Sequence, residues 1–232
     1  MIKAAIEKVI NEDMAEIWSL LNGEEKRLIV DNFDIQTFKK NQLIYAEGEQ
    51  PEHLWCLLKG KVKKFKEGVG GRVQIIRLIR PVQYFGYRAY FADEPYVSSA
   101  AAFEPSTLGA LPLSLVREMI NNNINLAWFF IRELSHNLGG SDTRIVNLTQ
   151  KHIRGRLAEA LVVLKDNYGF EDDGITLKIY MAREDLANLS NMTTSNAIRT
   201  LSAFVNEKLI AVDGRRIKIL NEAQLRKISK FG

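Results

Sequence analysis

The chain has 232 residues, 46% of them hydrophobic and 26% charged, the balance of a globular protein and neither disordered nor collagen-like. A single cysteine excludes an internal disulfide, a CxxC pair and any all-cysteine zinc or iron–sulfur site, and 3 histidines argue against a dedicated metal enzyme. Residues 1–150 hold 18 Lys/Arg against 18 Asp/Glu, whereas residues 151–232 hold 14 against 10, so the whole net charge of +4 falls at one end. A basic surplus confined to one end is what a module meeting a polyanion carries. The opening Met1-Ile2-Lys3-Ala4-Ala5-Ile6-Glu7-Lys8 mixes charge with apolar residues, and no later run approaches the ~20 apolar residues of a membrane span. The expectation is a soluble, cytoplasmic chain without a secretory signal.

Ile2, Ile6, Val9, Ile10, Ile17 and Leu21 fall at helical spacing, with Asn22-Gly23 as a stop. Short apolar or alternating runs follow at Leu43–Tyr45, Leu54–Leu58, Val62–Phe65 and Val73–Ile79. They are separated by Glu47-Gly48-Glu49, Lys59-Gly60-Lys61, Gly68-Val69-Gly70-Gly71 and Arg80-Pro81, and strands return at Val97–Ala102 and Leu108–Leu111. Short strands at near-regular spacing between turn signals predict a small antiparallel barrel or sandwich.

From Ser114 the period becomes helical. Ala127, Ile131, Leu134, Leu138, Ser141, Ile145 and Leu148 alternate spacings of four and three, a heptad seam suited to pairing with a second copy. Trp128, Phe129 and Phe130 supply a second apolar face for packing on the chain's own barrel. Gly139-Gly140 fall mid-helix, where each glycine costs roughly 1 kcal/mol relative to alanine; they suit either a close helix crossing or a deliberately weak spot.

Beyond Gln150, the residues Ile153, Leu157, Ala160, Leu161 and Leu164 predict a helix, and Ile175, Leu177 and Ile179 a short strand. Two helical segments separated by Ser190-Asn191-Met192 come next, then a hairpin in which Ile210–Val212 and Ile217–Ile219 flank Asp213-Gly214, a type I′ turn signal. This order is the layout of a winged helix-turn-helix. In its second helix Ala197, Leu201, Phe204 and Val205 form the face to be buried, and Ser195, Arg199, Ser202 and Asn206 form a polar face. Thr193 is the candidate N-cap. Thr194, Ser195 and Asn196 offer short donors and acceptors for phosphates and base edges, Arg199 has the reach for a guanine O6/N7 fork, and Arg215 and Arg216 suit backbone phosphates.

The order of barrel, long helix and winged helix resembles the CRP/FNR superfamily of bacterial transcription regulators over nearly the whole chain. Leu43-Ile44-Tyr45-Ala46-Glu47-Gly48-Glu49 and Leu57-Leu58-Lys59-Gly60-Lys61-Val62 are similar to that family's cyclic-nucleotide-binding-type β-roll. Phe85-Gly86 through Phe91, with Val97-Ser98-Ser99-Ala100, is similar to its phosphate-binding cassette. Arg183-Glu184-Asp185-Leu186-Ala187 and Thr194–Leu201 are similar to its helix-turn-helix, with Arg199 at the base-reading arginine.

The resemblance implies an α+β chain with an N-terminal helix and antiparallel β-roll (a double-stranded β-helix) over residues 1–112, a dimerisation helix over 113–148 and a winged helix-turn-helix over 149–232. It implies a homodimer on near-palindromic double-stranded DNA, acting with RNA polymerase under an unknown small-molecule effector. It places Arg183, Thr193, Thr194, Ser195, Asn196, Arg199, Ser202, Arg215 and Arg216 at the DNA, and Gly86, Tyr87, Arg88, Ala89, Val97, Ser98, Ser99, Ser141 and Asp142 around the effector. The competing reading is a small-ligand sensor whose C-terminal domain binds a protein.

Departures from the family pattern narrow the effector. Cyclic-AMP-binding members carry an acidic residue just after the cassette glycine and an arginine just before its serine; Tyr87 and Val97 stand there. A ribose phosphate needs that carboxylate and that cation, so cyclic AMP is disfavoured, and Asp142 would repel a phosphate. An iron–sulfur cluster is excluded, and Cys56 alternates with Leu54 and Leu58 as a core thiol. Haem would need an axial ligand from His53, His136 or His152, with nothing paired to any of them. Tyr84, Tyr87, Tyr90 and Tyr96 crowd the cassette, either lining an apolar pocket or filling the space a nucleotide takes in relatives. With no base–nucleophile pair, metal cluster or GxxxxGK[ST] loop, nothing favours an enzyme.

Overall fold

The computed structural model describes residues 2–231, with side chains from Ile6 onward. Its contacts divide the chain into two units, residues 1–66 with 76–139 and residues 67–75 with 140–232. Among the described residues no helix is long and apolar enough to cross a membrane.

The first unit opens with α1 (Ile2–Asp13), α2 (Ala15–Ser19) and α3 (Gly23–Asn32). Asn22-Gly23, expected as a stop, is a start. Asn22 Oδ1 accepts from the amides of Glu24 and Glu25 at 2.9 Å, and Glu25 Oε2 accepts from the Asn22 amide at 2.8 Å. This reciprocal box satisfies orphan donors at the helix N-terminus.

Eight strands then build the roll: β1 (Asp34–Phe38), β2 (Leu43–Tyr45), β3 (His53–Lys59), β4 (Val62–Glu67), β5 (Val73–Ile79), β6 (Tyr84–Phe85), β7 (Ser99–Ala102) and β8 (Ser106–Pro112). They form two four-stranded sheets in the orders β1-β8-β3-β6 and β2-β7-β4-β5. The paired strands run antiparallel, with Asp34 opposite Ala110, Trp55 opposite both Ala110 and Phe85, and Val62 opposite Ala102. The inner faces supply a core of Phe38, Tyr45, Trp55, Leu57, Val62, Ile79, Phe85, Tyr96 and Leu108. β1 and β6 carry no strong sequence signal: β1 buries only Phe38, and β6 is two residues long. The short helix α4 (Tyr87–Phe91) follows β6.

Residues 113–150 form two helices, α5 (Leu113–Asn122) and α6 (Ile124–Gln150). The break is at Asn123, whose Oδ1 accepts from the amides of Asn125 and Leu126 at 3.1 and 3.2 Å. The helix continues through Gly139 and Gly140, where an added Cβ would meet nothing within 4 Å. Phe129 and Phe130 are buried as expected of the barrel-facing side, packing edge-on against Tyr84 (5.6 Å) and Tyr87 (5.2 Å). Trp128, assigned to that same face, is instead 55% exposed, because it lies about 100° from Phe129 and about 200° from Phe130 around the helix.

The second unit holds α7 (Ile153–Tyr168), α8 (Arg183–Leu189), α9 (Thr194–Asn206), the antiparallel hairpin β9 (Ile210–Asp213) and β10 (Arg216–Ile219), and α10 (Glu222–Phe231), which packs along α7. The strand expected over Ile175–Ile179 reduces to isolated bridges, Phe170 with Leu177 and Thr176 with Lys218. Asp173 explains why: its carboxylate accepts from the amides of Ile175 (3.1 Å) and Thr176 (2.8 Å) and from the Thr176 hydroxyl (2.5 Å). Those bonds hold Asp173 down to about pKa 2 and curl the segment into a turn. They also bury Thr176 while Ile175 is left 37% exposed.

The candidate nucleic-acid interface and the β-roll pocket

In the second unit, α8 and α9 meet at a tight corner. Asn191 sits there at φ +51°, a left-handed conformation that asparagine tolerates. The Met192 amide donates back to the Ala187 carbonyl at 3.1 Å. Leu186, Ala187, Leu189, Met192, Ala197, Leu201 and Phe204 are buried around this corner. Thr193 caps α9 as expected, its hydroxyl accepting from the Asn196 amide at 3.2 Å.

The face of α9 opposite this core is polar. Thr193, Thr194, Ser195, Arg199, Ser202 and Asn206 are exposed and Asn196 is half-buried. Arg199 Nη2 lies 3.4 Å from Asn196 Oδ1, leaving its remaining donors free to reach outward. One expectation reverses: Val205, assigned to the buried face, is 38% exposed, and Thr200 is buried instead, its hydroxyl bonded to the Asn196 carbonyl at 2.8 Å. A threonine can be buried in a helix because its hydroxyl back-bonds to the preceding turn.

The hairpin is also shifted by one residue. Asp213 pairs with Arg216, so the loop residues are Gly214 and Arg215, not Asp213-Gly214. Gly214, at φ +56°, occupies the first central position, which a type II′ hairpin reserves for glycine. Arg215 stands exposed at the tip, and Arg216 is exposed with its guanidinium 5.5 Å above the Tyr180 ring. Arg183 reaches from the start of α8 to the Gly214 carbonyl, Nη2 to O 2.9 Å.

Further contacts from Arg154, Arg144 and Gln74 hold α9 and the corner in place. Arg154 of α7 forms a bidentate pair with Glu207, one arm at 2.7 Å, and lies 4.9 Å over the Phe204 ring. The paired guanidinium holds the Glu207 carboxyl below its ordinary range. Arg144 Nη2 donates to the carbonyls of Ile75 and Leu189, each at 2.8 Å, and Gln74 donates to the Asn188 carbonyl at 2.6 Å.

In the first unit, a small pocket partly open to solvent lies among Tyr45, Lys64, Gly86, Arg88, Ala89, Tyr96, Val97 and Ser98. Of the residues expected around an effector, Gly86, Arg88, Ala89, Val97 and Ser98 line it. The others lie elsewhere. Tyr87 turns its ring onto Phe130 and accepts at its hydroxyl from Asn137 Nδ2 at 3.2 Å. Ser99 accepts from the Glu47 amide at 3.0 Å, and Ser141 and Asp142 are exposed on α6 in the second unit.

Gly86 has φ +92°, and a Cβ there would lie 2.8 Å from the His53 carbonyl and 2.9 Å from the Trp55 ring. Only glycine fits where β6 passes into α4. Tyr45 and Tyr96 stack at 3.7 Å and 13° within the roll's core. Burial pushes both phenols well above their ordinary range, so they stay neutral donors. Sequence reading missed Tyr45 and Lys64. For Lys64 a signal existed: in β4 it shares the face of Val62, which is fully buried. Cys56 is fully buried and its thiol is pushed up to about 12, as befits a core residue.

A helix-turn-helix with a wing, joined to a β-roll that encloses a small polar cavity, is the build of a ligand-sensing class of DNA-binding regulators. Comparison with known proteins agrees with this class. Residues 35–123 match the cyclic nucleotide-binding domain family and residues 155–228 the Crp-like helix-turn-helix domain family. The global nitrogen regulator of Nostoc sp. is 26% identical over 80% of this chain and 84% of its own length. The CRP-like cAMP-activated global transcriptional regulator of Mycobacterium tuberculosis is 22% identical over 81% and 84%. The structure of FixK2 from Bradyrhizobium japonicum shares the fold with a TM-score of 0.76, at 20% identity over 84% of this chain and 96% of that one. The chain belongs to the CRP/FNR superfamily and is a DNA-binding transcription regulator of that type, not an enzyme.

Proposed function

We propose that this chain works as a homodimer that reads a near-palindromic operator with α9 and gates that binding through a β-roll whose effector is not cyclic AMP. The observation that carries the DNA reading is the exposed row Thr194, Ser195, Arg199 and Ser202 on α9, beside the exposed Arg215 and Arg216 of the wing. Short polar residues at a helix start suit phosphates and base edges, Arg199 suits a guanine, and wing arginines suit phosphates. Dimerisation is supported by the apolar row Ile131 (47% exposed), Leu138 (65%) and Ile145 (60%), which repeats every seven residues along α6 and is uncovered in a single chain. Ala127, Leu134 and Leu148 are half-buried beside it and Ser141 is exposed.

Against cyclic AMP stand the absence of any carboxylate among the cavity-lining residues, the replacement of the family's cassette cation by Val97, and the Tyr45–Tyr96 stack. RNA polymerase and an unidentified effector complete the partners this reading implies. The test is selection from random duplex DNA by the purified protein at near-physiological salt, run alone and with candidate small molecules. A two-fold symmetric motif with half-sites about 34–36 Å apart is the expected product. A folded protein that enriches no motif under any of these conditions overturns the reading in favour of a protein partner.

A further inference from the structure

The last four carbonyls of α8, from Leu186 to Leu189, have no acceptor role within the helix itself. Two are satisfied by the turn that follows, where the Ser190 amide donates to the Leu186 and Ala187 carbonyls at 3.0 and 3.2 Å. The other two are met by side chains from distant segments of the same unit. Gln74 Nε2 donates to the Asn188 carbonyl at 2.6 Å, and Arg144 Nη2 donates to the Leu189 and Ile75 carbonyls, each at 2.8 Å. Leu189 and Ser190 are buried, so loss of these donors would leave carbonyls unpaired away from water.

Arg144 belongs to α6, and its neighbour in the chain is Ile145, 60% exposed in the apolar row. Successive residues stand about 100° apart around a helix, so α6 shows the row on one side and holds the end of α8 on the next. The last turns of α6 are also tied to α7. Glu159 accepts from Asn147 Nδ2 at 2.6 Å and pairs with Lys151, and Arg156 Nη1 donates to the Leu148 carbonyl at 2.9 Å. From α8 the constraint passes to α9 through Ser190-Asn191-Met192, a corner closed by the Met192 amide on the Ala187 carbonyl at 3.1 Å.

We infer that Arg144 is a positioning residue for DNA reading: from the helix that carries the apolar row it caps α8, and so fixes where α9 stands and which half-site spacing the dimer accepts. Gln74 supports it on the adjoining carbonyl, and both act through α8. A seam helix joined to the helix-turn-helix by covalent chain alone would tolerate several spacings. A charged guanidinium shared between two carbonyls holds one arrangement. The inference rests on the dimeric reading above and adds the residue that sets its geometry.

The experiment measures the affinity of the full chain for duplexes that carry the selected half-sites at the selected spacing, or with one base pair added or removed. One base pair moves a half-site by about 3.4 Å and turns it by about 35°, so wild type should discriminate sharply. Arg144→Met keeps much of the stem and removes the donors. It should narrow the preference for the selected spacing by roughly tenfold, the worth of one charge-assisted contact. Base preference within each half-site and the salt slope should stay as in wild type, which a general loss of structure would not allow. Gln74→Ala should act in the same direction, and Arg144→Lys, which keeps a charged donor, should restore part of the preference. These two carry the test if circular dichroism shows that Arg144→Met does not fold. Arg199→Ala is the contrast, losing base preference and keeping spacing preference. Unchanged spacing preference in folded Arg144→Met overturns the inference. So does a flattened salt slope, which would make Arg144 a phosphate contact. A wild type that enriches no two-fold motif overturns the dimeric reading itself, whereas a sharply spaced wild-type motif with an indifferent variant removes this inference alone.

Discussion

The guanidinium of Arg183 donates to the carbonyl of Gly214 at 2.9 Å, fastening the first turn of α8 to the tip of the wing. Arg183 thus does two things in one place: it occupies the backbone of a loop whose next residue is the exposed Arg215, and it stays at the surface that carries α9. Arg183→Ala should loosen the wing before it removes any contact to DNA. Hydrogen exchange of residues 210–219 should speed up in the free protein, and operator affinity should fall. Unchanged exchange with reduced affinity would mean that Arg183 meets DNA directly.

Arg199 should behave differently. Replacing it by alanine is expected to cost roughly 1–3 kcal/mol of operator affinity and to relax preference at one base pair of each half-site. A binding selection with the variant reads both effects.

Alanine at Arg215 and Arg216 should weaken binding to all sequences alike and flatten the dependence of log K on log salt, because each neutralised phosphate contributes to that slope. The loss at Arg216 should be accompanied by increased mobility of Tyr180, on whose ring it rests.

The exposed row on α6 predicts a change of assembly. Leu138 is 65% exposed in the single chain, and burying one such side chain is worth about 1.5–3 kcal/mol. Leu138→Glu should shift the protein to monomer in sedimentation or light scattering while leaving its circular dichroism intact. Gly139→Ala and Gly140→Ala probe the same seam. Within one chain nothing crowds either position, so each should stabilise the helix by about 1 kcal/mol. A lower Tm instead would show that a second chain needs the glycines for close approach.

Stability should also carry the mark of Lys64. Its pKa near 8 lies below the ordinary 10.5, so between those values the unfolded chain binds a proton that the native chain does not. Native stability from this group therefore rises as pH increases from about 8 to about 10.5, and it is least at lower pH. Chemical denaturation of wild type against Lys64→Met across that window should show the slope only in wild type.

Strand and helix periods carried much of the architecture. Leu43–Tyr45, Val62–Phe65 and Val73–Ile79 fall within or on β2, β4 and β5, and the polar row of α9 is visible at spacings of four and three. Signals failed where a single residue redirects the backbone. Asn22 starts a helix by accepting two amides, Asp173 curls an alternating run into a turn, and Gly214 takes the first loop position in place of Asp213. The first two depend on one hydrogen-bonding geometry and the third on one positive φ, not on a repeated pattern.

The sensor pocket divides along the same line. Periodicity and turn signals by themselves determined a small antiparallel barrel or sandwich, a long helix and the layout of a winged helix-turn-helix, since burial on one face leaves a repeat in the chain, and the β-roll with its cassette was implied by the family resemblance. Which side chains share the cavity was decided only in three dimensions. Lys64 lies on β4 and Arg88 in α4, and Tyr45 and Tyr96 are 51 residues apart. They meet because the two sheets roll their inner faces together, and the electrostatic cost of that meeting is a property of distances that no local window of sequence contains.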